Sequence, residues 1–239
     1  VWAGGMSVEA AYAEQDSLGA AFGAELARIG YVGAEEPGFL ELFGYLELHI
    51  EQGPVLDQEG GGIGAVSGIQ AITWLELTIE GQPNHAGTTP MKYRRGDELL
   101  ASRIAVHAFD LTQEIPGQLA NMGVIRVEPA NVNVVPEKAV ITFDLRNPSD
   151  AHLARMEAAL RAYCIEIADK SGLTVTFRDL ARFPATPFAE PMIARVEAAA
   201  TALGLPVRRM ISGAGHDAQM MAGLCPTGMI FIPSVGGLS

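Results

Sequence analysis

Residues 139–150 read AVITFDLRNPSD, and the fold turns on this stretch. Ile141, Phe143 and Leu145 alternate with Thr142, Asp144 and Arg146, the two-residue period of a strand with one buried face and one wet face. Pro148, Ser149 and Asp150 then end the strand and start a helix, because Ser and Asp satisfy the free N–H groups of a first turn. On that helix Leu153, Met156, Leu160, Tyr163, Cys164 and Ile167 share one face, spaced by threes and fours.

The same grammar extends in both directions. Upstream, Leu75, Leu77 and Ile79 alternate with Glu76, Thr78 and Glu80. After a loop rich in Pro and Gly, the run 94–112 places Leu100, Ile104, Ala108 and Leu111 on one helical stripe, and a strand is predicted over 122–128. Downstream, Leu173, Val175 and Phe177 close the series. Strand, helix, strand, strand, helix, strand is the split βαβ order, an antiparallel sheet with both helices on one face. Residues 70–185 are therefore expected to form a separate ferredoxin-like α+β module.

The flanks read differently. Asp16 or Ser17 is expected to cap a helix carrying Leu18, Phe22, Leu26 and Ile29. In the strand YLELHIE, residues 45–51, Leu46, Leu48 and Ile50 take one face and Tyr45, Glu47, His49 and Glu51 the other. Gly60, Gly61, Gly62 and Gly64 mark a flexible turn before a new segment near Ile69. Beyond the module come a helix over 191–203, a strand over 207–211, the turn SGAGHD, a helix over 216–222 and the strand GMIFIP, a parallel-type unit. The fold class is α/β. Residues 1–69 and 186–239 are expected to be two parts of one α/β domain, with 70–185 inserted between them.

With 239 residues, 49% of them hydrophobic, the chain can fill a real core. A net charge of −12 with scattered cations argues against nucleic acid as a partner. No apolar run reaches the ~20 residues needed to span a bilayer, and VWAGGMSVEAAY lacks the order of a secretory signal. A soluble cytoplasmic protein is expected, and Cys164 and Cys225 read as buried thiols.

The chain carries no Gly-x-Ser-x-Gly elbow, P-loop, His-Glu-x-x-His helix or dinucleotide fingerprint. Among five histidines, His107 and His152 fall within predicted helices and read as structural. His49, flanked by acids at a strand end, is either a metal ligand or a satisfied imidazole among carboxylates, and Glu51 and Gln52 can orient it or reach a substrate. His85, in the constrained loop GQPNHAGTTP, either donates to a ligand or stabilises its own loop. His216 follows Gly213-Ala214-Gly215 at a helix start, where N–H groups favour an anion or carbonyl oxygen; a plain tight turn is the alternative. Arg146 either pairs with Asp144 or reads a substrate carboxylate, with Asn133 as a neighbouring amide.

Together YLELHIEQGPVL, GQPNHAGTTPM, NVNVVP, FDLRNP, SGAGHDAQMMA and IFIPSVGGLS resemble, in order along the chain, the amidohydrolase family of N-carbamoyl-L-amino acid hydrolase, β-ureidopropionase and allantoate amidohydrolase. These are relatives of dinuclear-metal aminopeptidases and carboxypeptidases. The resemblance implies that His49 binds metal and that Gln52 contacts substrate. It implies that His85 stabilises an oxyanion across a dimer interface, that Asn133 and Arg146 hold the substrate's carboxylate end, and that Gly215 and His216 also touch substrate. It further implies two divalent ions (zinc, manganese, cobalt or nickel), a small ureido or carbamoyl substrate bearing a carboxylate, and a homodimer formed through the inserted lid module.

In one respect the sequence departs from the family. The family's other metal ligands and its glutamate base come from a segment before the one that begins here, and a last histidine ligand follows a GGLS-like loop. A truncated, inactive chain holding no ion tightly is therefore expected. Two other readings stay open: a non-catalytic association module, and an exopeptidase of the related clan.

Overall fold

The computed structural model describes every residue except Ser17, Phe39, Asp97 and Ser239, and the side chain of Glu98. In chain order the elements begin with α1 (Val8–Ala13), α2 (Phe22–Arg28), β1 (Tyr45–Ile50), α3 (Val55–Gln58), β2 (Ile63–Ile69), β3 (Ala71–Glu80) and β4 (Asn84–His85). There follow α4 (Glu98–Glu114), β5 (Leu119–Glu128), β6 (Val134–Val135), β7 (Lys138–Asn147), α5 (Asp150–Ser171) and β8 (Thr174–Phe183). The chain finishes with β9 (Thr186–Pro187), α6 (Glu190–Ala202), β10 (Val207–Ser212), α7 (Asp217–Met221) and β11 (Thr227–Ile232). Two compact units result: Val1–Gly68 with Pro187–Ser239, and Ile69–Thr186.

The second unit is a sheet in the order β5-β7-β3-β8, antiparallel throughout. Leu75, Leu77 and Ile79 of β3 and Ile141, Phe143 and Leu145 of β7 form one buried cluster with Leu100, Ile104 and Leu111 of α4 and Met156, Leu160 and Cys164 of α5. Both helices thus cover the same face of the sheet. The stretch Asn147-Pro148-Ser149 earns its position by hydrogen bonding: Ser149 Oγ accepts from His152 N at 3.4 Å, and buried Asn147 binds the Pro116 carbonyl and Gln118 Oε1, each at 3.1 Å. Gly172, with φ 65°, closes α5 in the left-handed conformation that glycine adopts without a Cβ penalty. At the far side of α5, Glu157 receives Arg161 Nε at 2.9 Å and Arg182 Nη2 at 2.8 Å, tying the helix to β8. Burial pushes the Glu157 carboxyl up, but the hydrogen bonds and charges of Arg182 and Arg161 outweigh it and hold it below the ordinary value.

In the first unit the sheet runs β1-β11-β2-β10; β1 and β11 are parallel, with His49 opposite Phe231, while β2 is antiparallel to β11. Here the structure corrects several sequence expectations. The early helix begins at Phe22 with no side-chain cap. Asp16 instead accepts the N–H groups of Leu18 and Ala20, an Asx-type turn that competes with helix initiation, and Ser17 lies outside the described residues. The glycine run 60–64 leads directly into β2, which the sequence reading missed. That strand is built of small residues because a Cβ at Gly64 would lie 2.7 Å from Met210 Sδ and 2.9 Å from Phe231 Cβ. Leu46 and Leu48 are 53% and 64% exposed, since β1 is an edge strand whose apolar side faces outward. In the second unit α4 starts at Glu98 rather than 94, because a 3-10 turn, Met91–Tyr93, comes first.

Candidate active site

The polar face of β1 gathers the chemistry of the first unit. Glu47 and His49 point the same way along the strand, and the turn after β10 brings His216 against them: the two imidazole rings lie 4.6 Å apart, edge to face. His216 Nδ1 sits 3.6 Å from Glu47 Oε1, with the ring 3% and the carboxylate 15% exposed. The other oxygen, Oε2, accepts from Ala218 N at 2.9 Å and from the Tyr45 hydroxyl at 3.2 Å. The amide that the sequence reading offered to an external anion at the start of α7 is therefore occupied by Glu47. Burial, then the charge of His49, pushes the His216 pKa down against the pull of Glu47 and Asp217, so the ring is held toward its neutral form. His49 Nδ1 lies 2.8 Å from the Ile50 carbonyl.

One donor atom each from Glu47, His49 and His216 falls within 4.8 Å of the others. Two imidazole nitrogens and a carboxylate oxygen are a donor set that zinc and its neighbours accept, so these residues fit a divalent metal. The sequence reading assigned only His49 to metal; Glu47 was recorded as a flanking acid and His216 as a substrate contact. The signal that could have added Glu47 is its position two residues before His49, on the same face.

Gln52 follows directly. Its φ of 58° is the sole positive value among the described non-glycine residues. Its N–H donates to the buried Ser234 Oγ at 2.9 Å. The two oxygens of Glu51 accept from Val55 N at 2.9 Å and Leu56 N at 2.7 Å, capping α3. Gly215 lies in the turn leading to His216, exposed.

The second unit carries the remaining candidates. β4 and β6 pair with His85 opposite Val134, and Ala86 N donates to the Asn133 carbonyl at 2.9 Å, so His85 and Asn133 sit on one two-stranded ribbon, both exposed. Gly87 N donates to His85 Nδ1 at 3.0 Å, which leaves the ring proton on Nε2, the nitrogen free to donate outward. A Cβ at residue 87 would lie 3.2 Å from His85 Cε1, and glycine permits this close approach. Arg94, passed over in the sequence, braces the loop: its Nε donates to Thr89 O at 2.9 Å and its Nη2 to Ala86 O. Arg146, on β7, is engaged side-on by Asp144, Nε to Oδ1 at 2.8 Å and Nη2 to Oδ2 at 2.5 Å. His107 stacks on Tyr163 with ring centroids 3.8 Å apart, a packing role.

The first unit is thus an α/β domain with a carboxylate–imidazole cluster on the polar face of β1. Residues 14–239 match the profile of Peptidase family M20/M25/M40, and the chain belongs to that family. It is 39% identical over 240 residues to the N-carbamoyl-L-amino-acid amidohydrolase of Rhizobium meliloti, covering 100% of this chain and 58% of that protein. It is 35% identical over 201 residues to the allantoate amidohydrolase of Bacillus subtilis, covering 83% of this chain and 48% of that protein. A hydantoinase/carbamoylase family amidase from Burkholderia multivorans superposes with a TM-score of 0.93 at 39% identity, over 100% of this chain and 58% of that structure. The chain thus spans little more than half the length of these relatives.

Proposed function

We propose that this chain is part of a metal-dependent amidohydrolase that cleaves the carbamoyl or ureido C–N bond of an N-carbamoyl amino acid or allantoate. The observation that carries this reading is the pairing of 39% identity to an N-carbamoyl-L-amino-acid amidohydrolase with a cluster of Glu47, His49 and His216 fit for a cation. Two divalent ions, when bound, supply a water of lowered pKa and polarise the scissile carbonyl. Of Glu47, His49 and His216, His49 is the one that the sequence reading assigns to metal.

The chain's other residues bind and orient. His85, with its proton on Nε2, donates to the oxygen that gains charge as the carbonyl is attacked. Arg146 and Asn133 hold the substrate's carboxylate end, Arg146 as the charge partner, and Gln52 contacts substrate. Gly215 and His216 also touch substrate. The inserted unit forms the lid and the homodimer contact, and His85 serves the partner's site. We keep the cytoplasm as the proposed location; no helix among the described residues is long and apolar enough to cross a membrane.

The activity is assigned to a chain of the relatives' full length. The 239 residues alone are expected to be inactive, because three clustered donors fall short of holding two ions. The test is a chimera in which this chain replaces the matched segment of the Rhizobium meliloti relative. It should hydrolyse an N-carbamoyl amino acid or allantoate and leave a dipeptide intact; preference for the dipeptide would refute the reading in favour of an exopeptidase.

A further inference from the structure

We propose that Arg94 is a positioning residue for His85: its guanidinium holds the peptide between Ala86 and Gly87, and the N–H of that peptide holds the imidazole with Nε2 aimed outward. Arg94 is half-buried at the far end of the loop from His85. The inference rests on the reading above only in taking His85 as the group that steadies the oxyanion. The chain of hydrogen bonds is testable without turnover.

The loop from Gln82 to Arg95 is drawn shut at its neck. Gln82 N donates to Arg95 O at 3.0 Å in an isolated antiparallel bridge, and a Cβ at Gly81 would fall 2.1 Å from the same oxygen. Near the tip, Thr89 N donates to His85 O at 3.1 Å. Arg94 joins neck to tip. One edge of its guanidinium, Nε and Nη2, meets two carbonyls, Thr89 O at 2.9 Å and Ala86 O. That edge commonly grips the two oxygens of a carboxylate. Here two backbone oxygens take their place, and the single ammonium of a lysine cannot reproduce the planar pair of donors.

Ala86 O and Gly87 N belong to one peptide unit. In a trans peptide they lie in one plane and point in opposite directions, so the unit acts as a strut with Arg94 at one end and His85 at the other. At the His85 end, Gly87 N donates to Nδ1 at 3.0 Å. A backbone N–H can only donate, so Nδ1 presents its lone pair and the neutral ring carries its proton on Nε2. A cation on the carbonyl polarises the peptide and strengthens its N–H as a donor. Residue 87 is glycine because a Cβ there would lie 3.2 Å from His85 Cε1. The missing side chain also leaves this peptide free to turn unless something grips it, and Arg94 supplies the grip.

The first test uses the isotope-labelled 239-residue chain with the His85 ring neutral. NMR scalar coupling across the hydrogen bond should connect Gly87 N with His85 Nδ1. Arg94→Ala should abolish that coupling and speed hydrogen exchange of the Gly87 amide about 10-fold or more; Arg94→Lys should restore part of both. Arg95→Ala removes a neighbouring cation that lies toward Gly172, and it should leave both unchanged. Circular dichroism checks that each variant folds, and the milder Arg94→Lys decides the matter if the alanine variant does not.

The second test uses the chimera with the Rhizobium meliloti relative. Arg94→Ala should lower kcat about 10- to 100-fold and leave KM within about 2-fold, because a donor to the oxyanion is felt in the transition state. Added to His85→Ala, it should lower kcat little further, since Arg94 acts through that ring. A coupling absent from wild type or unchanged in folded Arg94 variants, an unchanged kcat in an active chimera, or two substitutions whose effects simply multiply would overturn the proposal. An inactive wild-type chimera, with the coupling present in wild type and lost in Arg94→Ala, would sink the functional reading and leave the strut standing.

Discussion

Gln52 occupies a backbone conformation that suits glycine, at φ 58°, three residues after His49. An L-residue in the left-handed region is about 1–2 kcal/mol worse off than in the right-handed one. Glycine escapes that cost but gives up roughly 0.5–1 kcal/mol of extra chain entropy on folding. The anchoring bond is made by the backbone N–H to Ser234 Oγ at 2.9 Å, so Gln52→Gly keeps it. Subtracting the mid-values leaves Gln52→Gly more stable than wild type by about 0.7 kcal/mol, a rise in melting temperature of roughly 2–4 °C for a unit of this size. Gln52→Ala retains the strain and loses only the exposed amide, so its stability should stay within ~0.5 kcal/mol of wild type. Trp2, in the first unit, reports on that unit's unfolding by fluorescence once Trp74 is replaced by Phe. In the chimera both variants should lose activity, because the amide is gone from each. Equal stability of the Gly and Ala variants, or full activity in either, would refute the idea that strain is kept here to aim a side chain.

Three further outcomes are expected. Arg146→Ala in the chimera should lower kcat/KM by about 2 kcal/mol or more, chiefly through KM, if the guanidinium reads a carboxylate; unchanged kinetics would remove that role. Glu157→Gln should destabilise the second unit by about 1–2 kcal/mol, the worth of two partly exposed ion pairs, judged by urea unfolding followed at Trp74. Because the folded carboxyl is held below its ordinary 4.5, that difference should be complete above this value. It should vanish as pH falls through the folded pKa; a difference that persists undiminished in acid would contradict the pairing. Cys164, whose thiol burial pushes up to about 12, should resist Ellman's reagent in folded Cys225→Ser protein and react only on unfolding; rapid native reaction would show an open core.

Much of the second unit was legible because its strands alternate cleanly and its helices carry continuous stripes. Leu75, Leu77 and Ile79 lie in the cluster their period indicates. The first unit was harder to read. β2 is nearly all small or apolar, and a fully buried strand of this kind has no period to detect. The polar face of β1 could be read from YLELHIE, but the exposure of Leu46 and Leu48 could not, since alternation says which residues share a face and not what covers it.

The sequence by itself determined the fold class, several residues worth suspecting and the left–right sorting of the alternating strands, because these follow from local periods and side-chain chemistry. Tertiary structure alone decided which suspects meet. His49 and His216 are 167 positions apart in the chain, yet parallel pairing of β1 with β11 and the turn after β10 bring their rings to 4.6 Å.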